Sequence, residues 1–471
     1  MARPAKFLLD GRVVTAADAS PTTTLLQYLR GPLGRCGTKE GCAEGDCGAC
    51  TVVIGEPSAE GMRYRAVNSC IRFVPTVDGK EVVTVESLRA PDGTLHPVQQ
   101  ALVDAHASQC GFCTPGFVMS LFALWLERDN VTREQAVEAL SGNLCRCTGY
   151  RPILEAASHM HGLGPSKHWP KGAEHDKRRR ALLPADESPV RMPGYFAPRT
   201  VAELARAYLE APESLLLAGG TDVGLWVTKQ LRELPPIIYI GDVADLERIS
   251  ERDGALEIGA AVSLTDGYGA IVARYPMLSE LADRFGSPPV RNSGTLCGNV
   301  ANGSPIGDSM PVLIALGAEV VLRRGEQERT LPMEALYLAY RKNAMQPGEF
   351  VRAVRVPLPR ADRLVATYKI SKRRDQDISA VCAAFAMTLK GANVDEARIA
   401  YGGMAATPKR AIAAEAALRG KPWNADTVRA AVTALASDFE PIGDMRASAA
   451  YRLRMAGALL ERFLAQTGER A

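Results

Sequence analysis

Residues 41–50 read Gly41-Cys42-Ala43-Glu44-Gly45-Asp46-Cys47-Gly48-Ala49-Cys50. The cysteines are spaced C-x4-C-x2-C, and Cys70 follows as a fourth thiol, which is the plant-type [2Fe–2S] spacing. The intervening residues suit that chemistry. Four thiolates must converge on two irons, so the loop has to wrap tightly, and glycines at 41, 45 and 48 permit the turns and positive φ this needs. Backbone N–H groups freed by such turns can then point at an anionic cluster. Zinc is the alternative, although its sites usually come as two C-x2-C pairs. Cys36 competes with Cys70 for the fourth position. Cys70 is preferred because it follows the strand that would bring it back to the loop.

Further along, Gln109-Cys110-Gly111-Phe112-Cys113-Thr114-Pro115-Gly116 and Gly142-Asn143-Leu144-Cys145-Arg146-Cys147-Thr148-Gly149 supply a C-x2-C and a C-x-C pair. Each sits at a helix junction, where the dipole and free N–H groups stabilise thiolates. A second cluster is the natural reading, with zinc again the alternative. Of eleven cysteines, only Cys297 and Cys382 fall after residue 150. The N-terminus carries no signal-peptide pattern, so a disulfide framework is a poor explanation. The net charge of +3 and the lack of a basic, aromatic-interleaved stripe argue against nucleic acid. The longest apolar stretch, near 117–126, is far short of the ~20 residues of a membrane helix. The expectation is a cytoplasmic protein with no membrane or nucleic-acid partner.

Outward from these motifs, residues 3–90 read as β-rich. A hairpin turns at Asp10-Gly11, and strands lie at 50–54 and 81–86. Residues 96–160 read as helices: 97–107; 116–127, opened by Thr114 as N-cap and Pro115; one capped by the Thr132…Gln135 box; and 152–159. Residues 162–192 are rich in proline, glycine and charge and read as a linker. Its Lys177-Arg178-Arg179-Arg180 run reads as a solvated face, a partner patch being the alternative. From 197 onward the pattern is α/β, ending in long strands near 378–389 and 394–402 and helices at 409–419, 425–437 and 448–466.

The two cysteine constellations together resemble the iron–sulfur module of the xanthine oxidase family of molybdenum hydroxylases. That resemblance implies an α+β multidomain chain. A plant-ferredoxin-like β-grasp domain (1–90) precedes a four-helix [2Fe–2S] domain (91–161). After the linker (162–192) comes a two-part α/β FAD-binding domain of the vanillyl-alcohol-oxidase/CO-dehydrogenase flavoprotein type (193–360), then a C-terminal α/β domain (361–471). It implies that Cys42, Cys47, Cys50 and Cys70 hold one cluster, and that Cys110, Cys113, Cys145 and Cys147 hold the other, nearer the molybdenum centre.

The second half offers no G-x-G-x-x-G after a strand, so a Rossmann site has no support. Instead Leu217-Ala218-Gly219-Gly220-Thr221-Asp222-Val223 follows a short strand. Its glycines could form a nest of N–H groups for a pyrophosphate, or a plain turn. The segment 285–308 is dense in glycine, hydroxyl and amide groups. Both resemble the family's FAD domain. The resemblance places Leu216, Leu217, Ala218, Gly219, Gly220, Thr221, Asp222 and Val223 around the pyrophosphate. It places Phe285, Thr295, Leu296, Gly298, Asn299, Ser304, Asp308, Val351 and Lys369 near the flavin, its ribityl chain and phosphates. Cys297 stands where the family usually has glycine, and would crowd the loop if positive φ were required there. A small buried thiol is the simpler reading. Tyr340-Arg341 and the loop 368–378 match positions beside the nicotinamide pocket and the flavin, where charged side chains could steer NAD; an ordinary salt-bridged surface loop is the alternative for the latter.

The family resemblance implies a subunit that carries electrons from a molybdenum cofactor on a large partner subunit, through two [2Fe–2S] clusters to FAD and on to NAD. The reaction implied is oxidation of hypoxanthine and xanthine to urate, in an (αβ)2 heterotetramer. The chain ends at Ala471, so the molybdenum domain is expected on a separate chain, and no residue here acts as acid or base on the purine. The rivals are a counterpart serving aldehydes or N-heterocycles, a stand-alone flavin reductase, and a zinc-bearing scaffold. The purified protein is expected to be coloured, with about four irons and four acid-labile sulfides per chain. A colourless protein containing zinc would remove the cluster reading.

Overall fold

The computed structural model describes residues 3–59, 61–184 and 188–468; residues 185–187 of the segment read as a linker, and the extreme ends of the first and last expected domains, lie outside it. The chain forms two compact units. The first comprises 1–199, 213–242 and 286–294; the second comprises 200–212, 243–285 and 295–471. The expected flavin domain, 193–360, therefore contributes to both.

In the first unit, Lys6–Leu9 pairs with Arg12–Thr15 as expected. Asp10 and Gly11 both take positive φ, 52° and 74°, as a two-residue type I′ hairpin requires. These strands join a five-stranded sheet in the order Arg12–Thr15, Lys6–Leu9, Glu81–Val83, Thr51–Ser58, Gly61–Asn68. Only Lys6–Leu9 with Glu81–Val83 is parallel. Successive side chains point to opposite faces of a strand. Val52 and Ile54 accordingly meet Phe7, Leu29 and Val82 under the helix Leu25–Arg30, while Val53 faces the helical half with Ala66 and Val83. A sheet buried on both faces needs apolar residues at every position, which explains the unbroken Val52-Val53-Ile54 run.

The helical half consists of Pro97–Asp104, Thr114–Glu127, Arg133–Ala139 and Arg151–His159. Thr132 and Gln135 form the expected capping box. The N-cap of Thr114–Glu127 is Cys113 rather than Thr114; Pro115, with no N–H to donate, is tolerated anywhere in the first turn. Thr114–Glu127 is apolar on nearly all sides and almost wholly buried, the mark of a central helix.

The composition of 162–192 hides structure. Trp169 is buried, donates Nε1–H to the Ser87 carbonyl at 2.9 Å and packs edge-on against Phe122. A helix follows, Ala173–Leu182, and its basic run is not uniformly solvated. Arg178 is exposed, whereas Arg179 lies 4.7 Å over the Trp169 ring and pairs with Glu81, whose side chain is fully buried. The unit also holds a four-stranded sheet, Val190–Met192, Tyr195–Ala197, Ile237–Tyr239 and Leu215–Leu217 in spatial order.

The second unit holds an antiparallel five-stranded sheet, ordered Ile249–Arg252, Ala255–Gly259, Glu349–Pro357, Glu319–Arg324, Gln327–Pro332. A second antiparallel sheet, Arg363–Ile370, Val381–Lys390, Asn393–Gly402 and Lys409–Arg410, is covered by the helices Ile412–Leu418, Ala425–Asp438 and Ala449–Thr467.

Removing one partner of a buried ion pair leaves the other charge uncompensated. Arg179→Ala is expected to cost about 3 kcal/mol, whereas Arg178→Ala costs at most about 0.5 kcal/mol. Urea denaturation of the two variants checks this; equal effects would mean that the helix is not docked through Arg179.

Candidate functional site

The first cysteine loop is shaped to receive negative charge. Ala43, Gly45 and Gly48 take φ of 54°, 79° and 72°. The backbone N–H groups of Glu44, Asp46 and Cys47 consequently converge on the Cys42 sulfur at 3.4, 3.4 and 3.3 Å. A hydrogen bond from the Cys47 thiol and these N–H groups outweigh burial and push Cys42 down to about 5, while Cys47, the donor, is raised. Cys50 and Cys70 form a second pair with their sulfurs 3.2 Å apart, and the Asn68 amide donates to Cys50 at 3.7 Å. Cys36 is exposed, its thiol lies 3.8 Å from the Arg30 carbonyl, and it stands outside both pairs.

The second constellation is also paired. Cys113 meets Cys145, and Cys110 meets Cys147. Burial raises the Cys145 thiol, but Thr148 and the Cys147 N–H (3.4 Å) outweigh it and leave it at about 7. Burial, then the bond to Cys145, pushes Cys113 up to about 12. Cys110 and Cys147 are exposed.

This arrangement suits a dinuclear cluster, which takes two thiolates per iron. A single structural zinc needs four ligands around one point, whereas the thiols here are grouped two by two. Between the constellations, Leu144 N–H donates to the Cys47 carbonyl at 3.0 Å. Asn143 Nδ2 donates to the Gly48 carbonyl at 3.2 Å, and Ser120 Oγ donates to Asn143 Oδ1 at 2.7 Å. A Cβ on Gly48 would collide with Gly142, and one on Gly116 with Gly48. Asn143 lay within a motif quoted for its cysteines; only burial reveals its own part.

The residues read for a flavin fall into two groups. In the first unit, Leu215–Leu217 leads into Gly219 and Gly220, then the helix Val223–Thr228. A Cβ on Gly219 would collide with the Ser293 carbonyl, Gly220 has φ 73°, and the Ser293 hydroxyl is buried without a hydrogen-bond partner among the described residues. In the second unit, Thr295 caps Leu296–Asn302 by accepting from Gly298 N–H at 3.0 Å. Asn299 Oδ1 is buried without a partner among the described residues. Asp308 accepts from Lys369 at 2.6 Å and Ser379 at 2.5 Å, and Lys369 also donates to the Arg284 carbonyl at 3.1 Å. Phe285 packs 5.5 Å from Tyr268, Val351 is buried, and Ser304 follows the left-handed Gly303. In the first unit, an unsatisfied buried hydroxyl at Ser293 beside a glycine too tight for a Cβ, Gly219, suits the close backbone approach of a polar, phosphate-bearing ligand.

Cys297 lies inside Leu296–Asn302 with no positive φ, so it does not crowd the loop. Its thiol contacts the Ile258 carbonyl at 3.5 Å, and burial pushes it up to about 12. Tyr340 and Arg341 form the exposed tip of the hairpin Tyr337–Ala339/Lys342–Asn343, with Arg341 left-handed at φ 56°.

Four family profiles match the chain in order: a 2Fe-2S iron-sulfur cluster binding domain over 7–74, a [2Fe-2S] binding domain over 84–158, an FAD binding domain in molybdopterin dehydrogenase over 189–359, and a CO dehydrogenase flavoprotein C-terminal domain over 366–467. Among curated relatives, xanthine dehydrogenase of Emericella nidulans is 34% identical over 97% of this chain, and xanthine dehydrogenase/oxidase of Gallus gallus is 30% identical over 92%. The chain spans 38% of the length of each. Among solved structures, a chain of carbon monoxide dehydrogenase from Hydrogenophaga pseudoflava is 33% identical with a TM-score of 0.54, over 57% of this chain and 94% of that one. A chain of the Oligotropha carboxidovorans CO dehydrogenase is 28% identical with a TM-score of 0.55, over 59% and 98% respectively. This chain thus carries two [2Fe–2S] domains and an FAD-binding domain.

If the two constellations hold separate clusters, Cys50→Ser is expected to abolish or alter one reduced-cluster electron paramagnetic resonance signal and leave the other intact, with Cys145→Ser doing the reverse. Loss of both signals in either variant would mean a single shared site.

Proposed function

We propose, from the premise that this chain belongs to the xanthine oxidase family of molybdenum hydroxylases, that it is the iron–sulfur and flavin subunit of a two-chain, bacterial-type xanthine dehydrogenase. In this reading it carries electrons from a molybdenum cofactor on a large partner subunit to NAD, during oxidation of hypoxanthine and xanthine to urate in an (αβ)2 complex. The observation that carries it is the presence, in one chain aligned over 97% of its length with a xanthine dehydrogenase, of two sets of paired thiols and both halves of a flavin module. The clusters, when bound, move electrons singly, and the flavin is the group able to exchange two with NAD.

The chain's own residues then bind and insulate. Cys42, Cys47, Cys50 and Cys70 hold one cluster, and three backbone N–H groups offset charge on Cys42. Cys110, Cys113, Cys145 and Cys147 hold the other. The partner covers the exposed thiols Cys110 and Cys147. Residues 216–223 take the pyrophosphate through backbone N–H groups. Thr295, Leu296, Gly298, Asn299, Ser304, Asp308 and Val351, with Phe285, contact the flavin and its ribityl chain. Lys369, held in place by its ion pair with Asp308, directs its ammonium group toward it.

A second reading, the corresponding subunit of another molybdenum hydroxylase, draws on the CO dehydrogenase chains. Their likeness is confined to under two thirds of this chain, which favours the purine enzyme. An anaerobic visible spectrum of the purified complex separates the two. Bleaching of flavin and cluster bands by xanthine, with recovery on NAD, is the expected result. Coloured protein that xanthine leaves unchanged would overturn the purine assignment, and reduction that oxygen but not NAD reverses would overturn the acceptor.

A further inference from the structure

The first cysteine loop is braced from outside by the short helix Val223–Thr228. Its beginning is pressed onto the residue after Cys70: a Cβ on Gly224 would collide with the backbone of Ile71, and Leu225 packs with Cys50, Cys70 and Ile71. Its end reaches the other side of the loop. Thr228 Oγ1 lies 2.7 Å from the Ala43 carbonyl, closer than its 3.0 Å contact with the Gly224 carbonyl one turn back. The next residue, Lys229, donates to the Cys42 carbonyl at 3.1 Å and lies 3.5 Å from the Glu44 carboxylate.

Ala43 is where this bracing matters. It is left-handed, φ 54°, without being glycine, a conformation that a Cβ disfavours and that persists only when the surroundings enforce it. The same turn aims the N–H groups of Glu44, Asp46 and Cys47 at the Cys42 sulfur.

We infer that Thr228 is a positioning residue for the first iron–sulfur cluster: its hydroxyl pins the Ala43 carbonyl, keeps Ala43 left-handed, and so holds three N–H donors on the Cys42 sulfur. This rests on the assignment of Cys42, Cys47, Cys50 and Cys70 as that cluster's ligands. Donors to a ligand sulfur favour the more negative, reduced cluster and raise its potential. Loosening the turn lowers it.

The test is a redox titration of the full chain with its clusters, followed by electron paramagnetic resonance. Thr228→Val removes the hydroxyl at nearly unchanged shape, and Thr228→Ser retains it. The expected result is that Thr228→Val lowers the midpoint potential and shifts the g-values of one signal only, the one altered by Cys42→Ser, while Thr228→Ser behaves as wild type. In an Ala43→Gly background the effect shrinks, because glycine holds the left-handed turn unaided. The inference is overturned if Thr228→Val titrates as wild type, if Thr228→Ser behaves like Thr228→Val, if the effect is undiminished beside Gly at 43, or if the signal that moves is the one altered by Cys113→Ser. Two signals untouched by either Cys42→Ser or Cys113→Ser would remove the ligand assignment itself, and the inference with it.

Discussion

The first unit depends on a place where two backbones touch with nothing between them. At Gly48 the loop between Cys47 and Cys50 lies against Gly142, Asn143 and Gly116, and neither Gly48 nor Gly116 has room for a Cβ. Gly48 also has φ 72°, so both its conformation and its contact demand glycine. Because the backbones meet, their polar groups can be satisfied across the junction: Asn143 takes the Gly48 carbonyl, Leu144 takes that of Cys47, and Ser120 orients the Asn143 amide. An unpaired amide here would cost about 1–3 kcal/mol. One hydrogen bond separates the chain at Cys47 from the chain beside Cys145, so the two cysteine sets are tied directly to each other.

Burial of charge is handled elsewhere in the same unit by sharing partners. Asp78, whose side chain has no exposure, receives Arg3 at 3.1 Å and Arg199 at 2.9 Å, and Arg199 also reaches Asp242 at 2.9 Å. Lys80 and Glu56, 2.9 Å apart, form a neighbouring pair. Such clusters gain little net stability over apolar packing, but losing one member is costly. Through Arg199, the Asp78 cluster joins the ferredoxin-like half to the sheet that carries the Gly219-Gly220 loop.

Much of this was legible in the sequence, because cysteine spacing and glycine placement are local signals. The hairpin at Asp10-Gly11, the Thr132–Gln135 capping box and the grouping of cysteines into two sets needed no tertiary information. The strand Gly61–Asn68 escaped notice because Arg63 and Arg65 break its apolar pattern, and Arg63 is instead satisfied by Glu56 across the sheet. Residues 162–192 looked like a linker because their composition is polar, yet Trp169 and Arg179 both find buried partners, and composition is blind to individual contacts. Asn143 and Thr228 were illegible for another reason. Their partners, Gly48 and Ala43, lie 95 and 185 residues away, and no local pattern marks a side chain that serves a distant carbonyl.

The route of the chain has a consequence for how it is made. The helix Pro288–Ser293 belongs to the first unit, where Asn292 donates to the Ala66 carbonyl across 226 residues and Arg291 pairs with Glu138. Between those partners runs the stretch 243–285, which belongs to the second unit. A ribosome delivers residues in order, and domains ordinarily fold as they emerge. Here the earlier unit waits for a piece that arrives after part of the later one is already outside. Closing so long a loop costs only slowly increasing entropy, so the delay is one of sequence rather than of energy. Synthesis of the two units is therefore interleaved, and neither is finished while the other is still unbegun.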